Sequence, residues 1–309
     1  MPVPVLLLGF NRPERLHDLI ETLRVTAPSV VRIAIDGPRQ GRPADVELVA
    51  RCQNVVDEIS WTSDVHTLFR DRNVGLQQAV TEAVAWVLEE FESVIVIEDD
   101  VTVGPQFVEF ATRALHEYRD RSDIFHVSGY NVAPQSLIGS PEDAVRLSRI
   151  PESFAWATWR RAWEHYDPSL EWGRHCEKAD LVAVTGSTLA AARWRQNFAL
   201  AQSGQISSWA YRWVASIWSQ NGYCVSPNKN LITYRGYSGG THTRRKPRWI
   251  EFPIEDLDLE AMPADPQLDR VVDGYINRQV FGATRRGVGL GPAEAAALKF
   301  LSWRSGRRC

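Results

Sequence analysis

Residues 94–101, Val-Ile-Val-Ile-Glu-Asp-Asp-Val, decide how this chain is read. An unbroken run of β-branched residues suits a strand buried on both faces. It leads straight into Glu98, Asp99 and Asp100. Adjacent carboxylates at the end of a buried strand repel one another and resist desolvation, so they call for a cation. Ligands of open α/β sheets bind at the carboxyl ends of the strands. The run therefore reads as a divalent-metal site holding a phosphorylated ligand. The plainer alternative is an acidic lead into a helix opened by Gly104-Pro105, whose N-terminus favours negative charge.

Upstream, residues 3–9 read as a first strand, and Asn11-Arg12-Pro13 starts a helix with Leu16, Leu19, Ile20 and Leu23 on one face. Arg12 thus falls in a strand-to-helix turn, where backbone N–H groups suit a phosphate. A second strand, Val31–Ile35, ends in Asp36-Gly37-Pro38. The acid is placed to meet a ribose or base, although Asp-Gly-Pro is also an ordinary turn. A third strand, Val65–Phe69, runs into the polar loop Arg70-Asp71-Arg72-Asn73-Val74-Gly75, and a helix follows from Leu76. Beyond the acidic run come a helix over 105–118 and a strand over 124–127. Strands alternating with amphipathic helices predict an α/β fold with a mainly parallel sheet. The first turn lacks GxGxxG and no GxxxxGK[ST] occurs, so phosphate charge must be met by metal and arginine rather than by a glycine nest.

The formal net charge of −3 gives no global attraction to nucleic acid. Cys52, Cys176, Cys224 and Cys309 form no metal or disulfide pattern, which fits a reducing compartment. The apolar stretch Val5–Leu8 is too short for a bilayer and lacks a basic leader, so a cytoplasmic location is expected. Eight of the 12 tryptophans fall between Trp156 and Trp218, chiefly as core, with two or three available to stack on a sugar. From Trp156 the aromatic spacing i, i+3, i+7 predicts a partly helical segment. Residues 131–149 read as a loop, Trp209, Trp213 and Ile217 as a helix, and 223–226 with 231–234 as a strand pair.

The ordered set GFNRPERL, AIDG, RDRNVGL, VIVIEDDV, SGYN, FAWATWRRAW, SSWAYRW and GGTHT resembles the GT-A-fold glycosyltransferases, especially the group around N-acetylglucosaminyltransferase I (glycosyltransferase family 13) and its bacterial relatives. The likeness spans roughly residues 3–243. It implies a GT-A catalytic domain over 1–243, with a Rossmann-like nucleotide-sugar-binding half (1–130) abutting an acceptor-binding half with a lid loop (131–243), and a C-terminal extension over 244–309. By the same resemblance Asp100 is a metal ligand completed by His242, and the metal is Mn²⁺ or Mg²⁺. Phe10, Asn11, Arg12, Asp36, Arg70, Asn73, Gly75, Leu76, Glu98 and Asp99 belong to the donor site for a UDP-sugar. Trp156, Trp159 and Trp209 face the acceptor, which is a glycan, a lipid-linked saccharide or a small molecule.

One position departs from the family. The segment Ser207-Ser208-Trp209 normally begins with an aspartate that serves as catalytic base, and serine cannot take that role near neutral pH. Either Glu152 or Asp180 substitutes, or the chain is inactivated, or it binds donor as a partner or regulator without transfer. The basic C-terminal stretch with Arg304, Arg307 and Arg308 packs on the domain or touches an acidic membrane surface as a peripheral contact.

Overall fold

Parallel strands need crossover connections, and the helical stretches between the apolar runs supply them. The computed structural model describes residues 2–236, 252–284 and 287–288. Its strands are β1 (Val5–Gly9), β2 (Val31–Ile35), β3 (Val65–Phe69), β4 (Ser93–Glu98), β5 (Val101–Val103), β6 (Ile124–Ser128), β7 (Val145–Ser148), β8 (Ala155–Trp159), β9 (Tyr223–Pro227) and β10 (Ile232–Tyr234). The helices are α1 (Pro13–Arg24), α2 (Pro43–Val55), α3 (Leu76–Glu90), α4 (Phe107–Glu117), α5 (Arg160–Trp163), α6 (Glu171–His175), α7 (Lys178–Thr185), α8 (Thr188–Gln202), α9 (Trp209–Ser219) and α10 (Arg270–Gln279).

An eight-stranded sheet in the order β3-β2-β1-β4-β8-β6-β9-β7 forms the centre. The first four of these strands are mutually parallel. β8 runs antiparallel to both β4 and β6, β6 and β9 are parallel, and β7 closes the edge antiparallel to β9. Most strands therefore point one way, and the chain is a mixed α/β protein with a Rossmann-like sheet. Val94 to Ile97 are fully buried, as a central strand covered on both faces requires. The α1 stripe Leu16, Leu19, Ile20 and Leu23 is buried against the sheet, and each such side chain contributes about 1.5–3 kcal/mol.

Several local expectations change. Residues 155–159 form strand β8, and helix begins only at Arg160. The i, i+3, i+7 spacing misleads because alternate residues of this strand are all covered, so strand periodicity is hidden. Within 131–149, Val145–Ser148 is a buried strand. β9 and β10 do not pair with each other. β9 lies in the main sheet, whereas β10 forms a two-stranded ribbon with β5. Among the described residues no helix is long and apolar enough to cross a membrane.

Candidate active site

Two cavities open along the carboxyl ends of β1, β2 and β4. The first, of about 340 Å³, is lined by Phe10, Arg12, Asp36, Arg39, Arg70, Asn73, Gly75, Leu76 and the acidic run 98–100. The second, of about 260 Å³, lies between β8, α9 and α10 and contains Glu152. Glu98, Asp100 and Tyr234 line both. The two spaces therefore meet at the acidic run.

Asp36 organises one end of the first cavity. Its carboxylate accepts from the Gly37, Val74 and Gly75 amides and from the Asn73 side chain, at 2.7–3.1 Å. Every lone-pair direction is used by the chain itself, so Asp36 holds the 73–75 loop rather than presenting free oxygens. Gly75 starts α3 with φ 85°, a left-handed conformation that glycine adopts without strain. Gly37 passes so close to the next loop that a Cβ would lie 2.4 Å from the backbone of Arg72. Gly37→Ala is accordingly expected to cost about 1–3 kcal/mol or more, because backbone rather than a flexible side chain must move. Urea unfolding would measure it, and an unchanged midpoint would contradict the close crossing.

At the other end, Arg12 immediately precedes α1 and reaches Asp99 at 3.1 Å and Asp100 at 3.8 Å. Burial raises the Asp99 carboxyl to about 6 despite the opposing effect of Arg12. Burial also raises Asp100, again against Arg12, and raises Glu98 well above its ordinary value, with Asp100 and Asp99 adding repulsion. Arg12, with Arg15 acting at longer range, faces three carboxylates, and the burial of the run outweighs both. No group of three or more His, Cys, Asp and Glu side chains converges as a metal shell among the described residues. The described residues thus form no closed protein cage, and Glu98 and Asp100 are oxygen donors of the kind that hard cations take.

Arg70 lines the same cavity. It pairs with Glu82 at 3.1 Å, while its buried Nη1 has no hydrogen-bond partner among the described residues. Asn11 points elsewhere, donating to Asp45 at 2.9 Å, and is a support beneath the cavity rather than part of its wall. Arg39 does what the sequence did not disclose: it stacks over Phe10 at 5.3 Å and pairs with Asp45 at 2.6 Å. That pairing holds the Asp45 carboxyl down at about 2, against the effect of burial.

Glu152 and its neighbour Ser153 both line the second cavity with a buried oxygen that has no hydrogen-bond partner among the described residues. Glu152 is 7% exposed, and the oxygen concerned is its Oε2. Burial lifts its carboxyl to about 8, opposed by Arg146 on β7 and assisted by Asp273 on α10. Leaving a buried carboxyl oxygen unpaired costs about 1–3 kcal/mol.

Other expected residues move out of the site. Asp180 is exposed and accepts from the Glu177 amide in the capping box at the start of α7, so it is a helix cap. Ser207 is exposed and lines neither cavity, while its neighbour Ser208 does line the second. Trp156 is fully buried between His126 and Trp209, with ring centroids 5.2 and 5.0 Å away. Trp159 is also core, donating from Nε1 to the Leu115 carbonyl at 3.0 Å. Only Trp209 of the three reaches a cavity wall. His242, the rest of the GGTHT segment, the basic run 243–246 and residues 291–309 lie outside the described residues.

Neither the protein-family models nor the curated proteins contain a match to this chain. Among solved structures, one described as a glucose-1-phosphate thymidylyltransferase from Bacillus anthracis, in complex with sucrose, is similar at 9% identity and a TM-score of 0.29. The alignment covers 57% of this chain and 76% of that one. A likeness of this size carries no argument about activity.

Proposed function

We propose that this protein is a cation-dependent glycosyltransferase of GT-A type, moving a sugar from a nucleotide-sugar, a UDP-sugar first, to an acceptor hydroxyl with inversion. The observation that carries the reading is the meeting of two cavities at Glu98, Asp100 and Tyr234. One holds an arginine-and-carboxylate cluster suited to a diphosphate, and the other holds an unpaired carboxyl.

A Mn²⁺ or Mg²⁺ bound by Asp100 and Glu98 together with diphosphate oxygens would supply Lewis-acid stabilisation of the leaving group. Arg12 adds a fixed cation on the same side, and Arg70, which lines the same cavity, adds a second. The acceptor oxygen forms a bond to the anomeric carbon as the bond from that carbon to the phosphate oxygen breaks. The electron pair of the broken bond leaves on the diphosphate, and the acceptor proton passes to the Glu152 carboxylate. With its carboxyl near 8, Glu152 is a base matched to mildly alkaline conditions. Burial sets that value, with Arg146 opposing and Asp273 assisting, His126 contacts its backbone carbonyl, and Glu98 and Asp100 line the same cavity.

UDP with Mn²⁺ is expected to raise the unfolding temperature by several degrees, since ligand at a hundredfold excess over Kd contributes about 2.7 kcal/mol. Failure of every nucleoside diphosphate, with either cation, to shift the transition would remove the proposal. The alternative of a donor-binding partner or regulator rests on Ser207, and turnover of a UDP-sugar separates the two.

A further inference from the structure

The second cavity is chemically one-sided. Its polar groups, Glu98, Asp100, Glu152, Ser153, Ser208 and Tyr234, accompany the acidic run and the segments beside it. Among the described residues the rest of its lining is aliphatic and aromatic, including Phe154, Trp194, Trp209, Tyr211, Val280 and Phe281, of which Tyr211 carries a hydroxyl. Trp194 stands 4.5 Å from the Phe281 ring and 5.8 Å from the Tyr211 ring, tilted at 43° and 72°. Its indole N–H is already committed to Asn277 Oδ1 at 2.7 Å. Trp194 is itself fully buried and backs the wall through Phe281 and Tyr211 rather than presenting surface of its own. The Arg193 side chain donates to the Phe281 carbonyl at 2.7 Å and fixes the far corner of this wall.

A saccharide carries hydroxyl groups around its whole rim, and each one buried without a partner costs free energy. Beyond the polar groups named above, the lining adds few such partners, the Tyr211 hydroxyl among them. An aromatic body needs no such partners around its rim and would pack on the half-buried rings of Tyr211 and Phe281. Its hydroxyl would lie among Glu152, Glu98 and Asp100. We infer that the acceptor is a small aryl alcohol or phenol rather than a sugar, an assignment that rests on the transferase reading of the site. The Glu152 carboxyl, which lines the cavity, is then the group that receives the acceptor proton, and the apolar wall selects the aglycone.

The test uses 2-naphthol and methyl α-mannoside as probes on the full chain, read by tryptophan fluorescence and calorimetry, alongside the UDP thermal shift. Saturable 2-naphthol binding is expected, weakened roughly tenfold or more by Phe281→Ala, in line with the loss of a buried aromatic contact. Val280→Asp, which puts a charge in the wall, should abolish it while leaving the UDP shift intact. Methyl α-mannoside should neither bind nor displace 2-naphthol. A UDP shift without 2-naphthol binding, or 2-naphthol binding indifferent to both substitutions, would overturn the inference while leaving the donor reading standing. Naphthol binding with no nucleotide response would overturn the transferase reading instead, and the acceptor assignment with it.

Discussion

Glu152→Gln is expected to lower transfer by about 10²–10⁴-fold, the range of general-base catalysis, with the UDP shift unchanged. The amide keeps the shape of the protonated acid but cannot take a proton. Wild-type turnover should climb as pH rises toward about 8, where the carboxylate form becomes abundant, and the variant should lack that limb. Stability should move oppositely. The folded carboxyl titrates near 8 and the unfolded one near its ordinary 4.5. Its favourable contribution is therefore complete below 4.5 and is lost as pH rises through 8. Glutamine does not titrate, so the variant should gain on the wild type across that window, by up to about 5 kcal/mol at 1.36 kcal/mol per pH unit. Asp273, raised to about 6 by burial, adds a slope common to both proteins. Equal turnover in the two proteins would exclude Glu152 as the base.

Asp100→Asn should abolish the cation dependence of the UDP response and reduce turnover by at least about a hundredfold, as loss of an electrostatic anchor at a developing charge does. Apo stability should hold or rise, because the change removes one of three mutually repelling buried carboxylates. Destabilisation without loss of the Mn²⁺ effect would show that Asp100 is structural and that its pairing with Arg12 matters more than any cation. Calorimetric titration of Mn²⁺ in the presence of UDP distinguishes these outcomes.

The parallel half of the sheet, β1 to β4, was legible because its signals are local. The β-branched run 94–97, the Pro13 helix start and the glycine at 75 each dictate backbone geometry within a few residues. The tryptophan-rich region was not. Residues 155–159 read as helix because every position is buried, and Trp156 and Trp159 read as sugar platforms because density does not reveal which way a ring faces. Tyr234 joins the two cavities only through the pairing of β10 with β5, and Arg39 joins Phe10 only after the chain has turned back on itself. Neither leaves a sequence signal. Glu152 could be named as a carboxylate of interest, but its isolation emerges only from the fold.

The antiparallel placement of β8 between β4 and β6 also constrains how the chain is made. Ile97 pairs with Ala155 and Val127 with Ala157, so the sheet's middle strand arrives after both of its neighbours have been synthesised. Until then β4 carries an open edge along Val94–Ile97, the kind of unpaired apolar edge that invites misassociation. Residues 1–130 made alone would retain that edge, and a fragment extended through residue 159 is the shortest that can cover it.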